Sequence, residues 1–191
     1  MTQEDSGAKE KIFQATWDLI AGGEDAGGIT VRQIAAKAGV NAALVNYYYQ
    51  SKENLLNAVV GTMMGDIIGR AHRDAGEGAD TRTRLLGLLL ATADAAFAHY
   101  NVCRIALIIE LKHGCQSSCE MILPLLKEML PQRTESELRI TALQLMQPFH
   151  HIMIEPGLYG EYLGADFFDK GQRTRKVEEM MDCVIKESGR R

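Results

Sequence analysis

The chain has no run of about eighteen uncharged apolar residues, the length a membrane-spanning helix needs, so no membrane partner is expected. Its opening residues, MTQEDSGAKEK, are polar and acidic and carry none of the apolar stretch of a secretory signal. Cysteine is scarce: four in 191 residues, irregularly spaced, which argues against a secreted disulfide framework and fits a reduced cytoplasmic protein. There is no Gly-rich phosphate loop ending in Lys-Ser/Thr, no G-x-S-x-G elbow and no H-E-x-x-H pair. No enzyme class is therefore suggested and no cofactor is expected. A cationic excess is missing as well, the net charge being −4. Strand alternation and internal repeats are also absent.

What is present is a 46% hydrophobic content laid out at helical spacing. Ile12, Phe13, Trp17 and Ile20 make the buried stripe of a first helix from about Ala8 to Ala21. A long helix starting at Lys52 carries Leu55, Leu56, Val59, Val60, Met63, Met64, Ile67 and Ile68 on a broad apolar face. Leu85 to Tyr100 marks a heavily buried fifth helix that Asn101 breaks, and residues 102–112 a short sixth. Residues 117–130 give a seventh, which Pro124 kinks or delays. Thr134 with Glu137 is a capping box opening an eighth helix to Glu155, with a bend at Pro148 and a stop at Pro156-Gly157. Residues 157–171, with Tyr159, Tyr162, Phe167 and Phe168, read as a long loop of the kind that is functional or packed on a partner. A last helix covers about 173–187. The expectation is an all-α chain of about nine helices, with an N-terminal three-helix domain at 1–51 and a helical domain at 52–191.

The most informative stretch is TVRQIAAKAGVNAALVNYYYQSKENLL, residues 30–56. Thr30 and Gln33 form a capping box. Val31, Ile34, Ala35 and Ala38 follow at helical spacing, and Gly39 ends that helix where a positive φ is easy. Val40 is an apolar plug in the turn. Asn41 caps the next helix, Ala42 to Tyr48, and Ser51 caps a third beginning at Lys52. This is the layout of a helix-turn-helix, whose second helix lies in the DNA major groove.

At these residues the chain resembles the tetracycline-repressor (TetR) family of transcriptional regulators. The resemblance is carried by Thr30, Ile34 and Ala35, Gly39 and Val40, Tyr47 to Tyr49, and Ser51-Lys52-Glu53-Asn54-Leu55, and runs from near Lys9 to about Val60. The chain departs from the pattern where many members carry Lys-Gly-Thr, at Ala42, Ala43 and Leu44, and where Phe is common, at Tyr49. The resemblance implies a ligand-responsive regulator, most simply a repressor released from a palindromic operator by a small molecule. It implies that Thr30, Tyr47 and Lys52 touch the DNA backbone. The residue chemistry adds Arg32 and Tyr48 as further DNA contacts, and Asn41, Ala42, Ala43 and Asn46 facing the groove. There Asn pairs with adenine and Ala meets the thymine methyl.

Charge complicates this reading. Residues 1–57 hold five basic groups (Lys9, Lys11, Arg32, Lys37, Lys52) and seven acidic ones (Glu4, Asp5, Glu10, Asp18, Glu24, Asp25, Glu53), a balance of −2. Phosphate neutralisation drives much of DNA affinity. Here it must come from a few placed cations, helix N-termini and hydroxyls, which predicts modest non-specific affinity and a dimer requirement.

The resemblance also implies a ligand pocket in the second domain and pairing of its last two long helices across a two-fold axis. The apolar candidates for the pocket are Met63, Ile67, Leu89, Phe97, Ile105, Ile109, Met121, Leu125, Met146 and Phe149, with Arg104, His113 and His150 as polar orienting groups. The candidates for the homodimer interface are Leu145, Phe149, Ile152, Val177, Met180, Met181 and Val184. Leu and Met at helical spacing are far more often plain core, so the pocket is what the resemblance implies and not what periodicity shows.

Three rival readings remain, one of them an accessory protein that keeps the fold but has lost DNA binding, which the acidic first domain suggests. Cys115 and Cys119, four residues apart and near His113, suit a thiol- or metal-responsive sensor on the same scaffold. Glu110-x-x-His113 has the spacing found in helical di-metal enzymes, which need two such motifs; here there is one. The simpler expectation is no metal, with Cys103 and Cys183 buried and Cys115 and Cys119 incidental.

Overall fold

The computed structural model describes residues 3–22, 28–74, 78–112 and 114–186, and at 3–6, 71–74, 109 and 186 the backbone alone. Among the described residues the chain is all-α, with ten helices and no strand. They are α1 (Gln3–Ala21), α2 (Val31–Ala38), α3 (Ala42–Tyr49), α4 (Lys52–Asp74), α5 (Thr81–Ala98), α6 (Tyr100–Lys112), α7 (Gln116–Met129), α8 (Glu135–Ile154), α9 (Pro156–Leu163) and α10 (Lys170–Lys186). No single helix among the described residues is long and apolar enough to cross a membrane.

Two compact units divide the chain. The first is Met1–Gly65 with Ala98–Ala106, and the second Asp66–Phe97 with Leu107–Arg191. The first therefore runs beyond the boundary expected at residue 51, because Leu55, Leu56, Val59 and Val60 at the start of α4 are buried like the core residues of α1 to α3. In this unit α1, α2 and α3 pack on one another. Ile12, Ile20, Ile29, Ile34 and Val45 are fully or almost fully buried.

In the second unit α8 packs against α7, α9 and α10. Its buried residues include Leu138, Ala142, Leu145, Met146, Phe149, Ile152 and Met153. Ion pairs tie α5 to its neighbours: Arg82 reaches Asp182 at 2.6 Å, and Arg84 reaches Glu128 at 3.0 Å. Deeper in, the buried Arg173 holds Asp94 at 2.5 Å, donates to the Phe167 carbonyl at 2.7 Å and lies 4.9 Å from the Phe97 ring centre.

The expected long loop at 157–171 instead begins as α9, and its last two residues belong to α10. Pro156 stands at the N-terminus of α9, where a missing N–H costs nothing, and Gly164 closes that helix in the left-handed region at φ 63. The chain then doubles back so closely that a Cβ on Gly160 would lie 2.6 Å from the Ala165 carbonyl oxygen. Asp169 accepts the Gln172 N–H at 2.8 Å, so α10 starts at Lys170, ahead of the expected residue 173.

Two smaller expectations also change, while the seventh and eighth helices run through their prolines as expected. The fifth helix ends before His99 rather than at Asn101. Pro124 and Pro148 lie inside α7 and α8, both at exposed positions, so each helix forgoes one backbone bond without ending. Cys183 is exposed where burial was expected, and Cys103 and Cys115 are buried. Cys183 falls two residues past the buried Met181, about 200° round the helix, and so faces away from it.

Candidate functional site

Local chemistry sets the helix-turn-helix residue by residue. Thr30 Oγ1 accepts the Gln33 N–H at 3.2 Å while Thr30 N–H donates to Gln33 Oε1 at 2.8 Å, completing the capping box. Gly39 takes φ 66, which lets its own N–H and that of Val40 return to the Ala36 and Ala35 carbonyls. Asn41 Oδ1 accepts the Ala43 N–H at 2.8 Å and starts α3. Ser51 Oγ accepts the Asn54 N–H at 3.0 Å at the start of α4.

The rest of α3 sorts cleanly into two sides. Val45 is buried and Ala42, Leu44, Tyr48 and Tyr49 are half-buried, whereas Ala43, Asn46 and Tyr47 are exposed, Tyr47 by 71%. Positions 43, 46, 47 and the exposed Gln50 are spaced i, i+3, i+4 and i+7, so they form one helix face. Tyr48 props Tyr47 edge to face at 5.0 Å. Tyr49 instead donates its hydroxyl to the Lys9 carbonyl at 3.2 Å and lies under the Lys9 ammonium, which ties α3 to α1. Burial, with Glu10 adding to it, raises the Tyr49 phenol above its ordinary pKa.

Among the expected cations, Arg32 and Lys37 are exposed on α2. Lys52 has a structural task that sequence reasoning missed. Its Nζ donates to the Ile29 carbonyl at 3.0 Å, joining the start of α4 to the residue before the Thr30 cap. An ammonium has three donors, so this bond leaves others for a phosphate.

The expected pocket residues do not all fall in one unit. Met63, Arg104 and Ile105 belong to the first, and the others to the second. His113 and the Ile109 side chain lie outside the described residues. In the second unit Leu89, Leu125, Met146, Phe149 and His150 are buried, and Ile67, Phe97 and Met121 half-buried.

The polar feature in this unit is a pair that spacing did not reveal. Cys115 Sγ lies 3.0 Å from His150 Nδ1, both buried. Cys115 enters α7 with φ 61, a left-handed conformation unusual for a residue with a Cβ. Burial, assisted by Cys119 and Glu110, pushes the Cys115 thiol up to about 12. Burial drives the His150 imidazole down to about 4, against the opposing pull of Glu110. Both groups are thus neutral at physiological pH. Burial raises Cys119 too, with its Cys115 hydrogen bond opposing. Neither thiol is the low-pKa thiolate of a redox sensor. Glu110 Oε1 is engaged by the Ser118 N–H at 3.0 Å. No group of three or more His, Cys, Asp or Glu among the described residues is placed to hold a metal ion.

Of the expected dimer face, Leu145, Phe149, Ile152, Val177 and Met181 are buried within the single chain, so their surface is already spent on its own core. Met180 and Val184 are half-buried. Among the described residues of the second unit the exposed large apolar side chains are others: Ile140 and Leu143 on α8, Leu158 and Tyr162 on α9, and Phe168.

A capped α2, a Gly turn and an α3 with one polar-apolar face exposed define a helix-turn-helix DNA-binding domain. Residues 12–59 match the family described as bacterial regulatory proteins, tetR family. Across nearly the whole chain the fold is similar to a TetR transcription regulator from Haloarcula marismortui, at 21% identity and TM-score 0.55, covering 93% of this chain and 98% of that one. It is also similar to a TetR-like transcriptional regulator from Rhodococcus sp. RHA1, at 14% identity and TM-score 0.54, covering 96% and 97%. A second Rhodococcus sp. RHA1 protein, assigned as a transcriptional regulator, superimposes with TM-score 0.66 at 15% identity, covering 92% and 95%. No curated protein matches the chain in sequence. Residues 12–59 thus match the tetR-family model at the helix-turn-helix, and the fold of the chain is TetR-like.

Proposed function

We propose that the chain is a cytoplasmic, homodimeric repressor that binds a palindromic operator and is released by a small apolar molecule held in its second unit. The observation that carries the DNA-binding part is the exposed Ala43-Asn46-Tyr47 face on a helix capped at both ends by its own sequence. Asn41, Ala42, Ala43 and Asn46 face the groove; Thr30, Arg32, Tyr47, Tyr48 and Lys52 serve the backbone. The Met- and Leu-rich interior of the second unit supports an apolar ligand, because Met adapts to varied shapes. Within that unit Leu89, Leu125 and Met146 are the apolar candidates and His150 the neutral polar one. A two-fold dimer matches a palindrome, and Ile140 and Leu143 with Met180 and Val184 are the α8 and α10 residues that keep surface for it.

Helix α4 belongs to both units, with Lys52 to Gly65 in one and the residues from Asp66 in the other. A ligand that favours one setting of this helix shifts the population of DNA-competent dimers. A coupling of about 1–3 kcal/mol changes operator affinity by roughly 5–150-fold. The test is fluorescence-anisotropy binding of the full chain to DNA from its own upstream region, against a shuffled fragment, over a salt series. Selective binding by a dimer, weakened by apolar ligands from a screen, supports the proposal. Equal binding to both fragments contradicts it.

A further inference from the structure

The face that α3 presents is chemically narrow. From Ala38 to Ser51, between Lys37 and Lys52, the sequence contains no charged residue. The commonest specific contact in a major groove is an Arg or Lys on guanine O6 and N7, and α3 cannot supply it. The two asparagines are also not equivalent. Asn41 has one lone pair of its carboxamide oxygen committed to the Ala43 N–H at 2.8 Å, which pins its amide to the helix end and leaves its acceptor partly used. Reading adenine needs both ends of the amide, an acceptor for N6–H₂ and a donor to N7. Asn46 lies exposed on the outer face with no partner among the described residues, and keeps both. One turn earlier on the same face stands the exposed methyl of Ala43, the size of group that packs on a thymine 5-methyl. Tyr47, held edge to face by Tyr48, brings a hydroxyl suited to a phosphate.

We propose that α3 reads A·T pairs, with Asn46 on adenine N6 and N7 and Ala43 on a neighbouring thymine methyl, while Asn41 caps the helix and reads no base. This rests on the DNA-binding reading above and adds the base chemistry of the half-site. An operator recognised in this way has a fixed adenine opposite Asn46 and no guanine fixed by α3.

The test is selection by the full-length protein from a pool of randomised duplexes, followed by base substitution in the selected site. Half-sites with fixed A·T positions are expected. Replacing the fixed adenine by 7-deazaadenine, which lacks the N7 acceptor, should weaken binding of the natural chain by roughly 5–150-fold, the equivalent of about 1–3 kcal/mol. It should leave Asn46→Ala almost unaffected, with an unchanged circular dichroism spectrum confirming that the variant folds. Fixed G·C positions under α3, or indifference of the natural chain to 7-deazaadenine, overturn the inference while leaving a selective DNA binder. Failure to enrich any sequence overturns the DNA-binding reading along with it.

Discussion

In the first compact unit the bonds that cap the helices and close the turn join residues within five positions of each other, Thr30 with Gln33, Val40 with Ala35, Asn41 with Ala43 and Ser51 with Asn54, while Lys52 to Ile29 and Tyr49 to Lys9 are the longer ties. In the second unit the bonds that fix helix positions reach across the chain, as from Arg173 to Asp94, Arg82 to Asp182 and Cys115 to His150. The first arrangement is written in short-range chemistry. The second is a consequence of packing. The turn proposed to present a face to DNA is specified mainly by near neighbours, and the helix positions of the unit proposed to adapt to a ligand mainly by distant ones.

That contrast can be broken or sharpened by substitution. The largest effect is expected in the second unit, where Leu126 is fully buried on α7. Leu126→Ala should cost about 2–5 kcal/mol, read as a lowered denaturation midpoint. A loss below 1 kcal/mol would mean that burial matters less there than the fold indicates.

The next effect is a pH dependence. His150 is held neutral, with its folded pKa near 4 against an ordinary value of 6.5, so between these values the unfolded chain binds the extra proton. The stability of the natural chain should therefore be complete above pH 6.5, fall as pH drops through this window, and level off below 4 as far as this group is concerned. The full difference is roughly 3 kcal/mol, taking about 1.4 kcal/mol per pKa unit. Denaturant titrations at several pH values should show this extra slope in the natural chain and not in His150→Gln.

In the first unit the effects are smaller in energy and larger in consequence. Gly39→Val places a branched side chain at φ 66 and should cost about 1–2 kcal/mol while abolishing selective DNA binding through a misset turn. Thr30→Ala removes one cap and should cost about 1 kcal/mol, with a matching fall in the melting temperature. If Thr30→Ala proves as damaging as Leu126→Ala, the distinction between local and packed specification fails.

The same contrast governs what could be read from the sequence. Thr30, Gly39, Asn41 and Ser51 do in the structure what their positions imply, because each acts on a backbone group a few residues away. The α9 helix was missed because Pro156-Gly157 reads equally as a stop and as a start; Pro at the first helical position, Gly164 and the Asp169 cap were the available signals. Leu145 and Met181 have the spacing of an apolar stripe and are buried within the single chain, and spacing alone cannot say whether such a stripe faces its own core or a second chain. The Cys115–His150 pair spans 35 positions and leaves no periodic trace.

The most direct test of the central claim is operator binding by an Asn46→Ala/Tyr47→Ala double variant, measured beside its thermal unfolding. Both residues are exposed, so the melting temperature should stay within a degree or two of the natural chain's, surface substitutions being worth about ±0.5 kcal/mol. Selective DNA binding should be lost. Unaltered selective binding with an unaltered melting temperature would show that the exposed face of α3 is not the surface that reads DNA.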